Sequence, residues 1–499
     1  MANASSLEFL PPRLDPRVLA AARLLLPLWL RSHGLRRLQV DGMERLEEAM
    51  VAFQEGRCRL LLAFRHPSLD DPAVLARLLW HQLPRAGRAR SPAGRRRFQP
   101  RPHAQFLYDR GIPLWAGAPM GWLLAHLGGC SIQRGTLDLP ALRTARALLL
   151  DGPHPFAVAP EGATNGHNER ISPLEPGVAQ LALWTADDLA KAGRQETSLI
   201  LPVGVQYSFL GTVWPAIEAL LLRLEEEAGL PPPAQRSLEP ERLYGRLLRL
   251  AERILDRMER FYRQLQPLPM AEPPGGESGA PGPAGEAAGA GSSVGERLER
   301  LLDTALQVAE QALDVEPHGD RSSRCRRLEQ AGWERIYPAN GSLITPGSEE
   351  TTAAGPSLLE QSLSRRLAEE TERKLWHMRL AESFVAVSGD YVRSCPSQER
   401  FADTLLILWD TLHRIHGASP GPRPSLGPRL ARIRIGDALN ASSRLPAYRA
   451  DRRTAVAALT TALQGSLEGL IVPSLQSGSA ALPKDQPNQP DQPAASRDR

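Results

Sequence analysis

The sequence predicts an α/β protein: a sheet covered by helices, with a large helical insertion before its last strand and helix. Three observations carry this. Between residues 35 and 210 short apolar runs alternate with amphipathic ones. From about Trp214 the pattern is helical only. Then "LARIRIGDALN", Leu430 to Asn440, returns to strand period, with Ile433 and Ile435 alternating with arginines before Gly436. A lone strand needs a partner, so it is expected to rejoin the first sheet.

Taken in order, the chain opens with "VLAAARLLLPLWL", Val18 to Leu30, 13 residues that include Arg23. A membrane-crossing helix needs about 20 apolar residues. With Trp29 and "RSHGLRR" at its end, this one reads as an interfacial helix or a core-packing one. Strands are expected at Arg59–Phe64, Phe106–Tyr108, Phe156–Ala159 and Ser198–Val205. Helices are expected at Met43–Glu55, Pro72–Gln82, Met120–Leu127, Leu139–Leu150 and Pro176–Ala190. Next, "PERLYGRLLRLAERILDRMERFYRQL" places Leu243, Leu247, Leu250, Ile254, Met258 and Phe261 on one helical face. Pro267 to Gly295 is almost wholly Pro, Gly, Ala, Ser and Glu, the composition of a flexible linker. Helices follow at Glu296–Leu313, Leu358–Val387 and Phe401–Ile415, and a final one begins at "RRTAVAAL". The expected domains are an N-terminal helix (1–34), a core (35–212), a helical insertion (213–428, with its linker at 267–295), a returning strand and helix (429–475), and a disordered tail (476–499).

Composition excludes some classes. Lys+Arg 60 against Asp+Glu 56 leaves a formal charge of +4, and most of the positive charge is arginine. One run, Pro84 to Pro102, holds Arg85, Arg88, Arg90, Arg95, Arg96, Arg97 and Arg101 with no acid. It reads as a solvated loop, or as a patch for an anionic surface such as phospholipid headgroups or an acidic carrier protein. No aromatic side chains are spread through it for base stacking, so nucleic acid is not an expected partner. The four cysteines (Cys58, Cys130, Cys325, Cys395) lie far apart, with no C-x-x-C. No metal site is expected, and a reduced, cytoplasmic setting fits.

The chemistry concentrates in "LLLAFRHPSLDDPAVLARLLW", Leu60 to Trp80. Ligands of open α/β sheets sit where a strand gives way to a helix. His66 and Asp71 are five apart and cannot face each other on one helix. Pro67 breaks any helix there, so an intervening turn can bring them together. A carboxylate on one imidazole nitrogen fixes the tautomer and frees the other nitrogen to take a hydroxyl proton. The plainer readings are that Asp71, or equally Asp70, caps the helix opening at Pro72, and that His66 closes a strand.

Three further blocks follow: "GGCSIQRG" (Gly128 to Gly135), "VAPEGATNG" (Val158 to Gly166) and "LILPVGVQY" (Leu199 to Tyr207). In order and spacing, the four blocks resemble those of the glycerolipid acyltransferase family, of the 1-acyl-glycerol-3-phosphate acyltransferase type. "LRRLQVDGMERL" and "ARIRIGDALN" also resemble family segments. The resemblance implies an acyltransferase-type sheet and transfer of an acyl group from coenzyme A or acyl carrier protein to a glycerolipid hydroxyl. No metal or bound cofactor is implied. It makes His66 the general base and Asp71 its orienter. Arg134 would hold the acceptor's phosphate, Glu161 and Gly162 would shape the acceptor site, and Pro202 would sit beside the acyl donor. The implied reaction is acylation of lysophosphatidate at the cytoplasmic side of a membrane by a peripherally attached enzyme. Glycerol 3-phosphate or a non-phosphorylated lysolipid or alcohol are alternative acceptors, and a catalytically degenerate helical scaffold is the alternative of another class. One block departs from the family: where it usually reads E-G-T-R-S, this chain has Glu161-Gly162-Ala163-Thr164-Asn165. The family's phosphate-binding arginine is absent, and Arg170 or His167 is the nearby candidate to replace it.

Overall fold

The structure is a computed structural model that describes residues 9–89, 98, 100–134, 137–265, 294–337, 357–382, 391–417 and 423–474. The linker expected at 267–295 falls almost wholly outside the described residues. So do the tail, the end of the helix expected to reach Val387, and Arg90, Arg95, Arg96 and Arg97 of the arginine run.

The strands are β1 (Leu35–Asp41), β2 (Cys58–Phe64), β3 (Gln105–Asp109), β4 (Gly129–Ile132), β5 (Phe156–Val158), β6 (Thr197–Phe209), β7 (Arg429–Ile435) and β8 (Leu439–Asn440). They form one mixed sheet in the order β1-β7-β6-β2-β5-β3-β4, with β8 also on β6. Every pairing is parallel except those of β6 with β7 and with β8. The late strand therefore lies between β1 and β6, and the helices from Trp214 to Ile415 enter the chain between β6 and β7.

Residues of β2 alternate between two cores, as a pleat of period two requires. Leu60, Leu62 and Phe64 pack with Leu46, Met50, Leu75 and Leu78 on one face. Leu61 and Ala63 pack with Leu149, Val178, Leu181 and Leu459 on the other. With both faces covered, the strand carries an unbroken apolar run instead of alternation. The insertion has a third core built from its own helices, among them Leu243, Leu250, Leu306, Leu375 and Phe401.

Several expectations need correction. β1 and β4 are strands that were not expected: β1 has two adjacent exposed arginines and then half-covered Leu38 and Val40 alternating with exposed Gln39 and Asp41, and β4 is only four residues long. The helix expected at Pro72–Gln82 runs as Asp71–Arg77, then widens to a π-turn over Leu78–Gln82. In the long helix Pro240–Leu265, Phe261 is 41% exposed and Tyr262 is fully buried, hydrogen-bonded to His377. Tyr262 stands four residues beyond Met258, where its ring can reach inward with its hydroxyl satisfied.

Two buried histidines make the fold acid-sensitive. His103 accepts from Trp80 Nε1 at 3.1 Å and meets the Leu127 carbonyl at 3.0 Å, a set that suits a neutral ring. Burial, with His154 and Arg23 nearby, lowers its pKa to about 3, and burial lowers that of His167 to about 4. The unfolded chain takes up these protons near pH ~6.5. Stability is therefore fully present above that pH and is lost as pH falls toward 4. The two groups cost up to about 2.7 kcal/mol per pH unit between pH ~6 and ~4. Burial lowers His377 to about 4 as well and adds to the loss, while Asp403 and Glu329, which burial raises to about 6 and about 7, return part of it as they take up protons in the folded state. Denaturant unfolding at a series of pH values should show a net fall in stability from pH 7 to 4, and a flat profile would contradict this account.

Candidate active site

β2 delivers Arg65 and His66 to the carboxyl end of the sheet, where Pro67 prevents the helix from starting at once. The chain turns through Pro67-Ser68-Leu69, and Asp71 comes back against the imidazole: His66 Nδ1 lies 3.0 Å from Asp71 Oδ2. That carboxylate also accepts from Ser68 N at 2.8 Å, while its other oxygen accepts the Tyr207 hydroxyl. Burial pushes the Asp71 pKa up, against the lowering effect of its bonds to His66, Tyr207 and Ser68. Burial and the adjacent Asp71 raise the Tyr207 phenol, keeping it a donor.

The helix-cap readings hold only in position: Asp70 occupies the N-cap but makes no side-chain cap bond, and Asp71 lies inside the helix. The helix begins at Asp71 with Asp70 before it, and neither carboxylate caps its first turn. Asp70 instead takes Arg429 at 2.7 Å, tying β7 to the turn. The adjacent acids thus have separate partners, one the imidazole and one a strand of the sheet.

Behind the imidazole, Glu161 Oε1 accepts His66 N at 2.9 Å, and Oε2 accepts Asn165 Nδ2 at 2.8 Å and Ser172 N at 2.9 Å. Glu161 is buried and braces the backbone of the base. Gly162 has φ +75°, a left-handed backbone that favours glycine, and a Cβ there would have to push the Glu175 carboxyl aside.

Two residues that sequence reasoning passed over hold this corner together. Arg65 is buried and donates to the carbonyls of Asn168 (2.6 Å), Arg170 (2.7 Å), His167 (3.0 Å) and Val205 (3.4 Å). Asn168 accepts Tyr207 N at 2.8 Å and donates to Asp403 from both its side chain and its backbone, each at 2.9 Å. Asp403 also accepts the Tyr391 hydroxyl, so the insertion grips the loop that Arg65 supports. The signal for Arg65 was its place beside His66 at the end of a buried strand, where an unpaired charge is not tolerated.

The remaining expected residues are dispersed. Pro202 lies in β6, opposite Ala63 of β2. It falls where β6 passes from β8, paired at Ile200, to β7, paired at Val203, so its missing N–H costs no ladder bond on that edge. Arg170 places its guanidinium 5.5 Å over the Tyr391 ring, and its carbonyl serves Arg65 and Asn165. His167 packs edge-on against Tyr391 with Nε2 buried and without a partner. Arg134, with no acid within three residues in sequence, meets three that are distant: Asp109 at 2.6 Å, Glu329 at 3.4 Å and Glu382 at 3.6 Å. It also donates to the Gly162 carbonyl at 3.0 Å.

Among the described residues no side chain is hydrogen-bonded to His66 Nε2, and the histidine side chain is 19% exposed. The arrangement is an oriented imidazole without a protein nucleophile. It can take a proton from a hydroxyl that a substrate brings. No family model matches the chain, and no curated protein matches it at significant similarity.

Proposed function

We propose that the protein is an O-acyltransferase with an acyltransferase-type sheet, moving an acyl group from a thioester to the hydroxyl of a lipid acceptor. The observation that carries this reading is the His66–Asp71 dyad at the end of β2, braced by Tyr207 and Glu161. His66 Nε2 removes the acceptor's hydroxyl proton, and Asp71 stabilises the resulting imidazolium. The alkoxide oxygen attacks the thioester carbonyl and a tetrahedral adduct forms. Its collapse breaks the carbon–sulfur bond, and the departing thiolate takes the proton from His66. The products are an ester and a free thiol, on coenzyme A or on acyl carrier protein, with the base regenerated.

Attachment to a phospholipid surface fits the first helix, Pro16–Ser32. Leu19, Leu26 and Leu30 pack inward, while Leu24, Leu25, Leu28 and Trp29 are exposed. This helix packs beside the one that Asp71 opens, and Leu69 is exposed on the turn between His66 and Asp71. An apolar surface thus borders the dyad. Among the described residues no helix is long and apolar enough to cross a membrane. The proposal is peripheral attachment through this exposed apolar face, at the cytoplasmic side.

The test is purified protein given labelled acyl-coenzyme A or acyl carrier protein and a panel of lipid alcohols. Ester and free thiol should appear in equal amounts. Thiol release without ester, or no reaction with any donor, would overturn the reading.

A further inference from the structure

The surroundings of Arg134 bear on which alcohol is acylated. Its guanidinium lies one peptide from the dyad's support: it bonds the Gly162 carbonyl, and Glu161 bonds His66 N. The family resemblance puts the acceptor's phosphate on this residue, yet the cation is already engaged. Asp109 at the end of β3 holds Nε, while Glu329 and Glu382 approach from two helices of the insertion. One guanidinium thus faces three carboxylates. Burial opposes its charge, but Glu382, Glu329 and Asp109 outweigh burial and raise its pKa. Burial, together with Glu382 and Asp109, lifts Glu329 to about 7 against the pull of Arg134, so that carboxyl is part-protonated at neutral pH.

Arg414 is a charged neighbour of Glu382, with Arg379 beside it, and the other nearby cations are turned elsewhere. Arg326 is paired at 2.8 Å with Glu175, which packs on Gly162. Arg110 is paired with Asp138. Arg170 lies over the Tyr391 ring, and Thr164 stands where the family's arginine is expected. A phosphate dianion could reach this cation only by displacing Asp109, Glu329 or Glu382, which would leave those carboxylates without their partner.

We propose that the acceptor is an uncharged lipid alcohol, such as a monoacylglycerol, and that Glu329 and Glu382 of the insertion are the residues that exclude a phosphomonoester. The inference rests on the acyltransferase reading and narrows the acceptor class within it. It predicts discrimination by charge: a site of negative potential rejects an anionic substrate that a neutral one of the same shape would satisfy.

The experiment offers lysophosphatidate and monoacylglycerol in the same neutral detergent micelles to the full-length protein, measuring calorimetric binding and kcat/KM for acyl transfer. The wild type should bind and acylate monoacylglycerol at least tenfold better. E329Q/E382Q should raise the lysophosphatidate-to-monoacylglycerol ratio of kcat/KM by tenfold or more. If the double variant does not fold, E382Q, whose side chain is more exposed, should move the ratio in the same direction. A wild-type preference for lysophosphatidate in binding, or a ratio that the variants leave unchanged, overturns the inference while acyl transfer stands. The expected binding order with ester formed on neither acceptor overturns acyl transfer and supports the uncharged-lipid site.

Discussion

Replacing His66 with alanine should lower acyl transfer by about two to four orders of magnitude, the usual contribution of a positioned general base. Asp71→Asn should cost less. The single amide oxygen can still accept from the Ser68 amide and the imidazole, with the new NH2 donating to the Tyr207 oxygen in place of the lost acceptor, but the carboxylate that stabilises the imidazolium is gone. His66→Gln separates a lost base from a lost fold, because its amide can still donate to Asp71 while taking up no proton. Steady-state rates with saturating donor, measured beside the circular dichroism of each variant, check this. A folded His66→Gln protein with near wild-type turnover would remove the dyad from the mechanism.

The second large effect is on stability. Arg65→Met should bring the protein close to unfolding. The guanidinium satisfies four backbone carbonyls within 3.4 Å, and the residue is 1% exposed. Hydrogen bonds from a charged donor are worth roughly 1.5–3 kcal/mol each, and the carbonyls left behind are buried. Even at the low end the loss is about 6 kcal/mol, against a typical total stability of about 5–15 kcal/mol. Arg65→Lys keeps the charge but reaches fewer carbonyls than the planar fork does, so it should fall between the two. Denaturant unfolding measures both. A loss below about 1 kcal/mol for Arg65→Met would show that the loop holding Asn168 and Arg170 does not depend on this arginine.

Local pattern settled much of what was legible in the sequence. The apolar run of β2 requires a strand covered on both faces, since alternating residues belong to different cores. Pro67 forces a turn after it, and a histidine followed by aspartate across such a turn can close on itself, as His66 and Asp71 do at 3.0 Å. The isoleucine–arginine alternation of 429–435 marks a strand, and a strand needs a neighbour, which it finds in β1 and β6. Steps of three and four marked the insertion's buried face up to Met258.

Only the tertiary structure decided the rest, because those features depend on groups far apart in the chain. Tyr207 reaches Asp71 across 136 residues and is an ordinary strand residue in sequence. Arg134 has no acid beside it in the chain, and folding supplies Asp109 from β3 and Glu329 from 195 residues away. Glu161 faces the backbone of His66, because the loop after β5 folds behind β2. Periodicity reports which face of an element is buried, and a turn residue reports where the chain must bend. Neither carries information about which charge meets which across a sheet. That pairing follows from the strand order β1-β7-β6-β2-β5-β3-β4 and from where the insertion's helices come to rest on it.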